Sequence, residues 1–168
     1  SYNWKYDEDS ISRKLTADKW EISQAWQAFS AYESMKKQRL LDYDGFSWCC
    51  LHGGPNSATY KKPLIDYLGH PKLAWYANKV IFQRVAAGSA DVDVVYGPDD
   101  EIKPVVMNLG DARTVAVDVE VKTMDGRTVA EKTYDAVKLP AGRTVTTLPG
   151  FKPSWPAKGY YAIEYRVR

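Results

Sequence analysis

Two periods of apolar residues divide the chain. Between residues 17 and 40, Trp20, Ile22, Ala25, Trp26, Phe29, Tyr32, Met35 and Leu40 recur mostly three or four apart, which predicts a helix with apolar faces. Thr16 can cap its start, with Asp18 near the positive end, and Lys36, Lys37 and Arg39 suit the opposite pole. Asp42-Tyr43-Asp44-Gly45 reads as a turn. The run Phe46 to Leu51 is apolar nearly throughout, which predicts a strand buried on both faces, as in parallel barrels. Residues 53–63 form a polar loop with Gly53, Gly54, Pro55 and Pro63. A second helix is predicted over 71–83, with Pro71 near its first turn. Helix, turn and buried strand make one α/β step.

After Gln83 the pattern changes. Val85 to Ser89 reads as a small-residue linker, and from Asp91 onward the period is two: Val92, Val94, Tyr96; Val105, Met107; Val115, Val117, Val119, Val121; Ala162 or Ile163, Tyr165, Val167. Turns punctuate these runs at Gly97-Pro98-Asp99-Asp100, Leu109-Gly110-Asp111, Asp125-Gly126, Pro140-Ala141-Gly142 and Pro156-Ala157-Lys158-Gly159. Asp125-Gly126 between alternating runs is the strongest hairpin signal. Six or seven strands in this stretch predict a small β-sandwich of immunoglobulin-like type without an inter-sheet disulfide.

Composition narrows the possibilities. Residues 1–86 hold twelve Lys and Arg against nine Asp and Glu, and residues 87–168 hold eleven against twelve, with the signs mixed. No basic stripe suggests nucleic acid, and no apolar run is long enough to span a membrane. The start at Ser1, without a Met or a visible signal peptide, fits a processed or truncated polypeptide. Cys49 and Cys50 are adjacent, so on a strand they point to opposite faces and a bridge between them is strained. They read as free thiols; a Cys nucleophile assisted by His52 is the other reading. Neither a metal site at ligand spacing nor a cofactor motif is present. Six Trp and twelve Tyr beside four Phe supply rings with polar handles, which suit the C–H faces and hydroxyls of sugars.

Residues 43–82 carry the most specific signal. An aromatic apolar strand enters a Gly-Pro-Asn loop, followed by Ile65, Asp66, Tyr67, Gly69, Pro71, Lys72, Trp75 and Tyr76. This passage resembles the last strand and closing helix of the catalytic barrel in family 2 glycoside hydrolases, the β-galactosidase and β-mannosidase group. The resemblance implies an α+β fragment. Residues 1–86 would be the C-terminal end of a (β/α)8 TIM barrel, and residues 87–168 a supporting Ig-like sandwich.

It also implies a carbohydrate substrate, the remainder of the hydrolase barrel as partner, and a periplasmic or secreted location. In that family the Trp ending the eighth strand packs against the sugar, and Trp48 stands at that place. The other reading of Trp48 is a core residue, as is expected of Trp26 and Trp75. His52 and Asn56, just beyond, either hydrogen-bond sugar hydroxyls or satisfy local backbone. Here Cys49, Cys50 and Leu51 follow Trp48, where many relatives have Gln, Asn or Asp. Asp66 takes the structural place of tying the returning loop.

Retaining glycosidases need two carboxylates about 5 Å apart, one as acid/base and one as nucleophile. In the resembled family the first follows an Asn on the fourth strand and the second ends the seventh. Neither motif is here, so this chain is expected to be inert alone. The Asp99-Asp100-Glu101 cluster reads as a solvated turn, with calcium as the alternative. The rival readings of function are a non-catalytic carbohydrate-binding module, which needs Tyr134, Phe151, Trp155, Tyr160 and Tyr161 on one exposed face, and an Ig-like interaction module.

Overall fold

The computed structural model describes residues 20–48, 51–52, 63–66, 68–91 and 95–168. Among these residues the fold is α+β, with two helices followed by six strands: α1 (Trp20–Leu40), α2 (Leu73–Ile81), β1 (Val85–Ser89), β2 (Pro104–Gly110), β3 (Arg113–Thr123), β4 (Thr128–Leu139), β5 (Gly142–Thr147) and β6 (Tyr161–Val167). The chain forms two compact units. The first comprises residues 1–35 and 43–81; the second comprises 36–42 and 82–168.

Helix α1, whose residues 20–35 belong to the first unit, runs without an interior Gly or Pro, as its apolar spacing predicts. It ends where Asp42 turns left-handed at φ 58°, a conformation Asp tolerates better than most residues. Ala31, Leu64 and Ala74 form a small core, with Ala28 and Trp48 packed against it. Small residues at these points let the two helices and the returning loop approach closely. The Gln24 side chain accepts from the Leu73 backbone N–H at 3.4 Å, meeting one of the unpaired donors at the start of α2.

The segment predicted as a doubly buried strand is different in the structure. Phe46 and Ser47 are exposed, Trp48 is half-buried and Leu51 is 57% exposed. Its only ladder contact among the described residues is an isolated parallel bridge from His52 to Ile65. An apolar run becomes a buried strand only when neighbouring strands flank it, and the described residues supply none. Trp26 and Trp75, expected in the core, are 42% and 36% exposed, because they lie on helix faces away from the Ala31–Ala74 cluster.

The second unit contains two three-stranded antiparallel sheets, ordered β1-β2-β5 and β4-β3-β6. Val85, Ala87 and Val106 of one sheet and Val117, Val119, Tyr134, Val137 and Leu139 of the other share a single core. On β3 the valines at 117, 119 and 121 are buried while Asp118, Glu120 and Lys122 lie on the opposite side, the two-residue period made visible. Val85–Ser89, predicted as a linker, is strand β1, paired in register with Pro104–Asn108. Ala86 and Ser89 are buried although small; a strand built of small residues lacks the alternation of bulky apolar side chains that marks one in sequence.

The hairpin signal at Asp125-Gly126 joins β3 to β4. Gly126 adopts φ 89° and its N–H donates to Thr123 O at 2.9 Å. A Cβ there meets nothing within 4 Å, so any cost of substitution is purely backbone. Gly126→Ala is expected to destabilise the second unit by about 1–2 kcal/mol, the cost of forcing an L side chain into the left-handed region. Denaturant unfolding checks this, and an unchanged midpoint would show that the turn relaxes to another form. At the far end of the same strand pair, β4 carries a bulge opposite Ala116, with Ala136 at φ 53°.

Candidate functional site

Trp48 is held by packing. Its ring lies edge-on to Phe46, with centroids 6.5 Å apart and an interplanar angle of 89°, and it leans on the Ala31–Leu64–Ala74 core. One face of a half-buried indole is thus fixed by protein, which is the condition for a stacking platform as well as for an ordinary packing residue. His52 is exposed, and its backbone bridges to Ile65, whose N–H donates to Leu51 O at 3.0 Å. Trp48 and His52 are therefore positioned through different contacts. Asn56, like Cys49 and Cys50, lies outside the described residues.

Asp66 fastens the return of the chain. Its Oδ1 accepts from the backbone N–H of Leu68 at 2.9 Å and of His70 at 2.8 Å, and its Oδ2 lies 3.3 Å from His70 Nδ1. Its own N–H donates to His70 O at 2.9 Å, and Gly69 takes φ 91° inside the loop. The His70 N–H, more than any other contact, holds the Asp66 carboxyl below its ordinary range. A carboxylate stabilised in its charged form is suited to organising a loop and unsuited to donating a proton.

Lys72 follows directly and is 8% exposed. Its ammonium donates to Pro63 O at 2.9 Å, and Gln27 Nε2 donates to the same carbonyl at 3.2 Å. Burial pushes the Lys72 ammonium down to about 8, while the negative charge of Asp66 works against that shift. Nothing in its spacing marked Lys72 as buried; the only available cue was its place between Pro71 and the apolar start of a helix.

Several carboxylates of the second unit are engaged structurally. Lys122 Nζ lies 2.7 Å from Glu120 and 2.6 Å from Glu164, across the β3–β6 pair. The hydrogen bond from Lys122 holds Glu120 below its usual range, the opposite of what a general acid at neutral pH requires. In the turn predicted as solvated, Asp99 pairs with Lys152 at 2.5 Å and Asp100 accepts from Gly97 N at 2.6 Å. Among the described residues no group of three His, Cys, Asp or Glu is arranged to hold a metal, and no helix is long and apolar enough to cross a membrane.

The five aromatics required for a binding face do not share one. Tyr134 is buried, with its hydroxyl donating to Pro149 O at 2.6 Å, and Phe151 packs against the core. Trp155 is half-buried between Tyr96 and Tyr161, at centroid distances of 6.0 and 5.1 Å. Only Tyr160, at 88%, is widely exposed. The feature most easily missed in the sequence is Asn108, buried within the apolar run of β2. Its Nδ2 donates to Gly110 O, Asp111 O and Pro140 O at 3.3, 3.1 and 2.8 Å, clamping two turns at one end of the sheets. A lone Asn inside Pro-Val-Val-Met-Asn-Leu-Gly was the available signal. Comparison of the sequence with models of known protein families and with curated proteins found no match.

Proposed function

We propose that this chain is the C-terminal part of a retaining, exo-acting β-glycoside hydrolase of carbohydrate metabolism, resembling family 2. Residues 1–86 supply the end of a (β/α)8 barrel, and residues 87–168 are a supporting Ig-like sandwich. Trp48 is the stacking wall of the sugar pocket, with His52 and Asn56 contacting hydroxyls. The acid/base and the nucleophile come from barrel strands outside this sequence. A periplasmic or secreted location goes with that reading.

The observation that carries the proposal is the course of the chain after Trp48. His52 bridges in parallel to Ile65, Asp66 ties the loop through Leu68 and His70, and α2 begins at Leu73. Of these, Ile65 and Asp66 are among the residues that bear the resemblance, and the others hold the loop between them and the helix. Exposed rings and aliphatics support a missing partner: Trp26, Phe29, Phe46, Leu73, Tyr76 and Val80 are all open to solvent in the first unit. Apolar exposure of this kind supports the reading that another body, the remainder of the barrel, covers these residues.

The test is the native gene product, weighed intact and assayed on nitrophenyl β-glycosides beside this chain. A larger, active product and an inert chain are expected. In that product Trp48→Ala should lower kcat/KM about ten- to thirtyfold, the loss of one stacking contact in a desolvated site. A gene encoding this chain alone, inert on every glycoside, would sink the hydrolase reading.

A further inference from the structure

We propose that Arg84 and Arg113 form a surface site in the second unit for a compact oxyanion, the phosphoryl or carboxylate group of a small ligand. The site lies at the end of the β1-β2-β5 sheet and does not depend on the hydrolase reading.

The two arginines converge on Gly110. A Cβ built there would lie 3.5 Å from an Arg113 terminal nitrogen, 3.8 Å from Arg84 Nε and 3.9 Å from Arg84 Cζ. Both guanidiniums thus stand within 4 Å of one point, over a residue with no side chain to fill it. Across the ladder Gly110 faces Gly142, so neither strand raises a Cβ at this end. Among the described residues neither Arg84 nor Arg113 has a carboxylate within ion-pair distance. Their neighbours differ: Arg143 Nε lies 2.6 Å from Asp42, and Arg168 Nε 2.6 Å from Asp118.

Arg84 is anchored through its backbone, and Arg113 through its side chain. Arg84 O accepts from Leu109 N at 2.8 Å, which extends the β1–β2 ladder to Arg84. Arg113 Nε donates to Asp111 O at 3.3 Å, which orients the fork and leaves its terminal nitrogens for another acceptor. Beneath the turn, Asn108 clamps the carbonyls of Gly110 and Asp111. Two like charges fixed this close repel, and an anion between them turns that repulsion into two charge-assisted contacts. Guanidinium forks match the paired oxygens of phosphoryl and carboxylate groups.

The experiment is a titration of the full chain at about 20 mM ionic strength, where screening of surface charges is weak, followed by amide NMR. Inorganic phosphate is the first probe and glucuronate the second. Saturable shifts are expected at Gly110, Asp111, Ala112 and the arginine Nε–H signals. Arg84→Gln and Arg113→Gln should each weaken binding about tenfold, the worth of a hydrogen bond to a charged group. Arg127→Gln, on the exposed β3–β4 turn, should leave it unchanged. Saturation by phosphate assigns a phosphoryl ligand, and saturation by glucuronate alone assigns a carboxylate. No saturation with either anion, or equal shifts in both arginine variants and the parent chain, overturns the proposal.

Discussion

Asn108→Asp is expected to cost the second unit about 4 kcal/mol, from the loss of the amide donor to three carbonyls and the placing of a buried carboxylate against their oxygens. Asn108 is 1% exposed. Its Nδ2 is the donor for three carbonyls, on Gly110, Asp111 and Pro140, while its Oδ1 has no partner among the described residues. An aspartate has almost the same shape but no donor when ionised, so it sets oxygen against oxygen. Protonation restores one donor at most, and the deficit should therefore shrink as pH falls. Asn108→Leu removes the orphan Oδ1 together with the donors, so its cost should be smaller, about 2 kcal/mol. The loss for Asp is a large fraction of the 5–15 kcal/mol typical of a domain. It is read by amide exchange at Val117, Val119 and Val121, which report the core of that unit directly. If Asn108→Asp exchanges like the parent chain, the clamp is not what holds the two turns.

The contrast between Asn108 and the valines of β3 shows which features of the fold were legible. Val115 to Val121 alternate with polar residues because one side of β3 faces a core and the other faces water, and that asymmetry is written in the period. The Asp125-Gly126 hairpin was legible because only a residue free of Cβ strain takes φ 89° cheaply. Strand β1 was not, because Val-Ala-Ala-Gly-Ser owes its place to small size and close approach, which composition reads as a linker. Phe46–Leu51 was misread in the other direction: its apolar run signals a need for neighbours, and a run cannot say whether those neighbours are present. For the candidate site, Asp66 was recognisable from its place in a motif, and its two backbone partners supply the physics. The burial of Lys72 and the meeting of Arg84 with Arg113 were not legible, since burial of a cation and convergence over a glycine depend on residues brought together by the fold.

Lys72→Met is expected to stabilise the first unit by about 1–2 kcal/mol at pH 7, and to lose that advantage at pH 10. The parent chain holds an ammonium that is 8% exposed and pushed by burial down to about 8 from an ordinary 10.5. Below pH 8 both folded and unfolded chains carry the proton, so the folded state bears the full cost of the buried charge. Between about 8 and 10.5 the unfolded chain binds a proton that the folded chain has released, and stability therefore rises with pH, by roughly 3 kcal/mol in all. Above 10.5 both forms are neutral and the gain is complete. Methionine is uncharged throughout, so it escapes the penalty at neutral pH but forfeits the bond to Pro63 O, worth about 1 kcal/mol. The two stability curves should therefore approach and cross as pH rises. Five of the six tryptophans lie in the first unit, so denaturant unfolding followed by indole fluorescence reads mainly that unit. A stability difference between Lys72→Met and the parent chain that stays constant from pH 7 to 10 would show that Lys72 keeps an ordinary affinity for its proton and reaches solvent in the folded state.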